Sequence, residues 1–130
     1  MDKSRILVVD DVAENIHGII NMLKKDYNMV AATNGKKAIE IARKEQQPDL
    51  ILLDIMMPKM DGFEVCRILK EDESTKNIPI IYVTAMNDEN LIDKVFIYDG
   101  VDYVQKPLHK KELQRRIEMY LKYNDKIQQK

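Results

Sequence analysis

The sequence predicts an α/β fold, a (βα)5 doubly wound parallel sheet in a single domain, and two observations carry that prediction. Short apolar runs alternate five times with longer amphipathic segments, the pattern of parallel strands covered by helices. Three of the runs, ILVV, LILL and IPIIYV, are apolar throughout, as strands buried on both faces are. At 130 residues the chain suits one domain with a core that needs no covalent staples.

The first strand is predicted over residues 6–9, followed by a helix whose apolar row is Ile16, Ile19, Ile20 and Leu23. The second run, MVAA at 29–32, precedes Asn34-Gly35, a helix-opening pair, and the row Ala38, Ile39 and Ala42. LILL at 50–53 is the third strand. Asp61-Gly62-Phe63-Glu64 then reads as a capping box for a helix carrying Val65, Ile68 and Leu69. The fourth strand is predicted over 78–83, and Asn87 or Asp88 caps a fourth helix with Leu91, Val95 and Phe96 inward. VDYV at 101–104 is the fifth strand, and Leu113, Ile117, Tyr120 and Leu121 line the last helix. MVAA and VDYV are shorter or carry a charge, which suits sheet edges. With right-handed crossovers the simplest order is 2-1-3-4-5. That order is the known one for flavodoxin-like sheets, so the assignment is as much a match to precedent as a derivation.

Composition narrows the function classes. The formal charge of −1 provides no strong field for nucleic acid or an anionic membrane surface. The single cysteine, Cys66, excludes an intrachain disulfide, and no Cys/His cluster suggests zinc. The opening stretch MDKSRILVVDD is too short and charged for a secretory signal, and no apolar run reaches membrane-spanning length, so a cytoplasmic protein is expected. Residues 124–130 are polar and are expected to be a tail or the start of a linker helix after a domain over 1–123.

Ligands of an open parallel sheet bind outside the carboxyl ends of its strands, where the strand order reverses. Here Asp10 and Asp11 end the first strand, Asp54 the third and Thr84 the fourth, and Lys106-Pro107 follows the fifth. Crowded carboxylates need a cation or a proton to coexist at neutral pH. A hard divalent ion with oxygen ligands, Mg2+ before Mn2+, resolves the conflict. Metal, lysine and hydroxyl around a carboxylate are the equipment of phosphoryl transfer, in which charge neutralisation and positioning do most of the catalysis. An aspartyl phosphate is a known covalent product of such a site.

Four stretches in order, VVDD at 8–11, LLDIMMPKMDG at 52–62, VTA at 83–85 and DYVQKP at 102–107, resemble the CheY-like receiver domain of bacterial two-component response regulators over residues 4–123. The resemblance implies that Asp54 accepts a phosphoryl group from a phosphohistidine on a sensor histidine kinase or phosphotransfer protein. It implies that Asp11 and Asp54 hold Mg2+ by carboxylate, Asp10 largely through water, and Met56 by its backbone carbonyl. Lys106 would pair with the carboxylate and then with the phosphoryl group, and Thr84 would move to hydrogen-bond it. Tyr103 would follow Thr84 from an outward to an inward rotamer, and the Lys106–Pro107 bond is expected to be cis. Met56 and Met86, two residues after Asp54 and Thr84, would flank the path of the hydrolysing water. Neither side chain offers a group to orient it, so slow self-dephosphorylation is expected. Output would pass through the face of the fourth helix, fifth strand and fifth helix, to a downstream protein or domain or in a phosphorylation-dependent homodimer. Such a domain turns over no external substrate and makes no direct contact with nucleic acid or membrane.

Plainer readings stand beside these. Asp11-Val12-Ala13-Glu14 is also a capping-box pattern. Thr84 also fits an ordinary strand residue, Lys106 a solvated loop lysine and Tyr103 a core aromatic. The fourth helix has more apolar residues than one stripe needs, with Leu91, Val95 and Tyr98 in one row, Ile92 and Phe96 in another and Ile97 extra, which reads as a partner surface or as deep burial. Asp99-Gly100 replaces the Gly-Ala of many receivers and sets a negative charge at the unfavourable end of that helix. In the last helix, Leu113, Ile117, Tyr120 and, after Asn124, Ile127 follow a 4-3-4-3 spacing, either the start of a coiled coil or an amphipathic end that frays. Its Lys110, Lys111, Arg115, Arg116 and Lys122 read as a solvated face. Two other classes compete. An aspartyl-nucleophile phosphatase or mutase would need a second aspartate where Met56 stands, and a pseudo-receiver acting as a binding module would have lost one of Asp11, Asp54 or Lys106.

Overall fold

Strands rich in Ile, Leu and Val place alternate side chains on opposite faces, so each central strand must be covered twice. The computed structural model describes residues 3–85, 93–95 and 101–128, the stretch 123–128 by its backbone alone. It contains five parallel strands, β1 (Arg5–Val9), β2 (Asn28–Ala32), β3 (Leu50–Asp54), β4 (Ile80–Thr84) and β5 (Asp102–Gln105). Their order is β2-β1-β3-β4-β5, as the sequence predicts, with the two weakest runs at the edges. The helices are α1 (Ala13–Leu23), α2 (Gly35–Arg43), α3 (Gly62–Glu71), the helical residues 93–95, called α4, and α5 (Lys110–Gln128).

Two apolar layers sandwich the sheet. On one face Leu7, Val9, Ile51, Leu53, Ile80 and Tyr82 meet Ala38, Ile39 and Ala42 of α2, Val65, Cys66 and Leu69 of α3, and Val95. On the other, Ile6, Val8, Leu50, Leu52, Ile81 and Val83 meet Ile16, Ile19 and Leu23 of α1 and Leu113 and Ile117 of α5. Each strand therefore contributes to both cores, which is why the central runs contain no polar alternation.

Boundaries differ from the sequence reading for identifiable reasons. β4 begins at Ile80 and not at 78, because Pro79 has no N–H to donate; its carbonyl instead accepts from Ile51 at 3.0 Å. The fifth strand is shifted by one residue, to Asp102–Gln105. The last helix keeps its backbone helical to Gln128, past residue 124 where the sequence predicts a polar tail or the start of a linker helix. Arg116 is not part of a solvated face: its guanidinium bonds the Asp102 carboxylate on β5, and Tyr120 Oη donates to Asp102 at 3.1 Å and to the Val101 carbonyl at 3.2 Å. The expected caps hold at α2, where Asn34 Oδ1 accepts from Lys37 N at 2.8 Å, and at α3, where Asp61 Oδ1 accepts from Glu64 N at 3.0 Å. The Asn87 or Asp88 cap, most of the apolar rows of the fourth helix, Asp99-Gly100, Met86 and the Ile127 side chain lie outside the described residues.

Candidate functional site

The sheet register builds the site. Val9 of β1 lies opposite Leu53 of β3, so Asp10 and Asp11 emerge beside Asp54, where the strand order reverses. Asp10 is held by its N–H on the Ala32 carbonyl at 3.2 Å and accepts from Val12 N at 2.9 Å through Oδ1. α1 begins after Val12 with no side-chain cap, so Asp11 is not used as one. Asp10 and Asp54 are buried while Asp11 is exposed, and carboxylate oxygens of the three lie within 4.8 Å of one another.

Donors come from the neighbouring strands. Asp54 pairs with Val83 in register, which sets the fully buried Thr84 one residue further along that edge. Lys106 N donates to the Thr84 carbonyl at 2.8 Å, fixing the start of the turn after β5, and the Lys106–Pro107 bond is cis. The Lys106 ammonium stands 3.4 Å from Asp10 Oδ2. It therefore reaches the cluster through Asp10, where the sequence suggested Asp54 as its partner.

Burial, with the charge of Asp10 added to it, pushes the Asp54 carboxyl up from 3.8 to about 6; Lys106 and the Met56 N–H pull it down, and Asp11 adds slightly to the rise. Among the described residues, three carboxylates with one lysine ion-paired to them leave an excess of negative charge at the sheet edge. An all-oxygen donor set that is crowded, partly buried and short of positive charge fits a hard divalent cation.

The structure thus brings Asp10, Asp11, Asp54, Thr84 and Lys106 to one edge. Met56 bears on them through its backbone N–H, which lowers the Asp54 carboxyl, while its side chain is 66% exposed. Tyr103 lies on β5 opposite Tyr82, half-buried against the α2/α3 core.

Sequence reasoning missed two residues that support Asp54. Gly62 opens α3 directly behind it, donating its N–H to the Ile55 carbonyl at 2.9 Å. A Cβ at Gly62 would fall inside contact distance of the Asp54 carbonyl oxygen and 2.9 Å from Ile55 Cα. Glycine alone permits that approach, and the signal for it was a glycine in a helical first turn whose cap needs none. Lys59, with φ 69°, turns the loop between Asp54 and α3 through the left-handed region; no sequence signal marks it.

Comparisons with known proteins agree with this geometry. A family model described as the response regulator receiver domain matches residues 6–118. The DNA-binding dual master transcriptional regulator RpaA of Synechocystis is 37% identical over 130 residues, covering 96% of this chain and 52% of that protein. Hybrid signal transduction histidine kinase D of Dictyostelium discoideum is 42% identical over 116 residues, covering 89% of this chain and 7% of the kinase. The chain thus spans about half the length, or far less, of the curated relatives it matches. Among solved structures, the receiver domain of sensor histidine kinase PA1611 from Pseudomonas aeruginosa superposes with a TM-score of 0.83 at 29% identity, covering 92% of this chain and 98% of that one. That crystal structure holds a magnesium ion coordinated in its active-site cleft.

Proposed function

Because this chain belongs to the response regulator receiver domain family, we propose that Asp54 is its phosphoryl acceptor and that a phosphohistidine on a sensor histidine kinase or phosphotransfer protein is the donor. The observation that carries this is the buried Asp54 carboxylate at a strand end, with Asp10 and Asp11 oxygens within 4.8 Å and Lys106 across Asp10. Asp10, Asp11, Asp54 and the Met56 carbonyl would hold Mg2+, with Mn2+ as a substitute. When bound, the ion supplies charge neutralisation at the phosphoryl oxygens and between the carboxylates.

An Asp54 oxygen attacks phosphorus, the bond to the donor imidazole nitrogen breaks, and the released imidazole takes its proton from solvent. With its carboxyl at about 6, Asp54 is ionised and nucleophilic at neutral pH. Lys106 and the Thr84 hydroxyl complete the binding of the transferred group. The domain acts on itself alone and turns over no external substrate.

Phosphorylation would shift a pre-existing equilibrium, with Thr84 and Tyr103 moving together and altering the α4–β5–α5 face for a downstream protein, an output domain or a second copy. Similarity to transcriptional regulators and hybrid kinases supports a kinase partner and an output partner of this kind. The receiver would occupy 1–123 and residues 124–130 begin a linker, consistent with α5 running to Gln128. Among the described residues no helix is long and apolar enough to cross a membrane, and we assign the domain to the cytoplasm, away from direct contact with DNA. Met56 and Met86 supply no group to orient a hydrolytic water, so the acyl phosphate is long-lived.

Incubation with acetyl phosphate and Mg2+ tests the reading. Intact mass is expected to rise by one phosphoryl group, and the gain to vanish with EDTA or in Asp54→Asn. No gain in the unsubstituted protein would favour a pseudo-receiver that acts by binding alone.

A further inference from the structure

Two Asx-Gly pairs open helices among the described residues, Asn34-Gly35 at α2 and Asp61-Gly62 at α3, and the fold holds them differently. Both first residues act as caps through Oδ1. The glycine nitrogens differ. Gly62 N donates to the Ile55 carbonyl at 2.9 Å. Gly35 N, in the first turn of α2, has no acceptor among the described residues. A backbone nitrogen must give up its proton to act as a nucleophile, so the bonded one is protected and the unbonded one is not. Thr33 and Asn34 are exposed, whereas Gly35 is buried. The exposed corner can therefore turn about the Asn34 Cα–C bond, now at ψ 167°, while Gly35 stays seated. That turn brings the Asn34 side-chain carbonyl carbon onto Gly35 N and breaks the cap bond to Lys37 N, a local fraying that leaves the sheet intact.

We propose that Asn34 is a site of spontaneous deamidation, and that its isoaspartyl product slows phosphorylation and makes the chain a substrate for an isoaspartyl methyltransferase. The deprotonated Gly35 nitrogen attacks Asn34 Cγ, the bond from Cγ to the side-chain nitrogen breaks, and ammonia leaves with a proton relayed through solvent. The product is a five-membered succinimide. Water then opens it at Cγ to give aspartate, or at the backbone carbonyl to give isoaspartate, whose main chain runs through Cβ and Cγ. Aspartate at position 34 keeps the cap and suits the helix N-terminus, so that product is benign. Isoaspartate lengthens the backbone by one carbon immediately before Gly35, where there is no room. Even a Cβ on Gly35 would lie 2.7 Å from Val65 Cγ2 and 2.8 Å from Met60 Sδ. Met60 belongs to the loop between Asp54 and α3, and Val65 to α3 itself. Displacing Gly35 thus presses on the segment that seats Gly62 against the Asp54 backbone. The methyltransferase moves a methyl group from S-adenosylmethionine to the new carboxylate, and the ester recloses to the succinimide with loss of methanol. The phosphorylation part of this inference rests on Asp54 being the acceptor; the deamidation part does not.

The experiment ages the unsubstituted protein, Asn34→Asp and Asp61→Asn at mildly alkaline pH. Asp61→Asn sets the same Asn-Gly chemistry at both caps, so that only the environment differs. Isoaspartate is counted by methyl transfer from labelled S-adenosylmethionine and placed by peptide mass spectrometry. It is expected at position 34 in the unsubstituted protein, and at 34 well ahead of 61 in Asp61→Asn. The isoaspartyl fraction, separated by ion exchange, should melt roughly 5 °C lower, as an overfilled seat in a domain of this size would. It should also load more slowly from acetyl phosphate and Mg2+, whereas Asn34→Asp, the other hydrolysis product, should melt and load like fresh protein. Methyltransferase treatment should restore both readings. No isoaspartate at 34, equal rates at 34 and 61 in Asp61→Asn, or an isoaspartyl fraction that melts and loads normally would each overturn the proposal. Failure of the fresh protein to load would instead defeat the acceptor assignment, and the isoaspartate map and melting would still decide the deamidation site.

Discussion

Replacing Asp54 with asparagine is expected to stabilise the metal-free protein, because the carboxylate is held in a setting that opposes its charge. Its carboxyl is raised from 3.8 to about 6, by burial first and the Asp10 charge second. At about 1.4 kcal/mol for each tenfold change in the ionisation constant, the native state gives up about 3 kcal/mol once Asp54 is fully ionised. Asp54 is 7% exposed, so solvent screens little of this. Asparagine keeps the shape and an acceptor for the Met56 N–H but carries no charge. Below pH 3.8 Asp54 is protonated in both folded and unfolded chains and contributes nothing. Between 3.8 and about 6 the folded protein holds the extra proton, so stability falls as pH rises, and above about 6 the full loss is present. Paired urea unfolding of the two proteins in EDTA, from pH 4 to pH 8, reads Asp54 together with its coupling to Asp10 and Asp11, because titrations that do not touch this cluster are shared. The variant should gain about 2 to 3 kcal/mol at pH 8, roughly 8 °C in Tm for a domain of this size, and almost nothing at pH 4. An advantage of equal size at both ends, or none at pH 8, would refute the assignment of strain to Asp54. Millimolar Mg2+ should narrow the gap by stabilising the unsubstituted protein alone.

Other expected outcomes follow from the supporting contacts. Gly62→Ala drives a Cβ into the backbone of Asp54 and Ile55, which has no flexible end to yield; a loss of at least about 2 kcal/mol in chemical denaturation is expected, and a change below about 0.5 would remove the steric argument. Lys106→Ala removes the charge that lowers the Asp54 carboxyl, so that carboxyl should titrate above about 6 by carbon NMR, and phosphoryl uptake should fall sharply; an unmoved titration would place the ammonium too far away to matter. Tyr120→Phe deletes the hydroxyl that bonds Asp102 and the Val101 carbonyl, and should cost about 1 kcal/mol with no effect on loading of Asp54.

The sheet order and the edge that gathers Asp10, Asp11, Asp54, Thr84 and Lys106 were legible because hydrophobic continuity separates central from edge strands, and strand ends fix what stands there. Caps were legible at Asn34 and Asp61 because their signal is local. What escaped depended on contacts between distant segments or on exposure. Pro79 shortened β4 through a missing donor, and Arg116 left the solvated face for Asp102, 14 residues away. Gly62 looked like part of a cap until its approach to the Asp54 carbonyl was visible. Met56 and Met57 are identical letters whose burial differs because only one faces the core.

The central claim, that Asp54 itself carries the phosphoryl group, is tested most directly by chemical trapping. Borohydride reduces an acyl phosphate to the alcohol, converting an aspartyl phosphate to homoserine that peptide sequencing by mass spectrometry can place. After loading with acetyl phosphate and Mg2+, homoserine is predicted at position 54 alone and is predicted to be absent when Mg2+ is withheld. Homoserine at position 10 or 11, or a phosphoryl group that borohydride cannot trap, would contradict it.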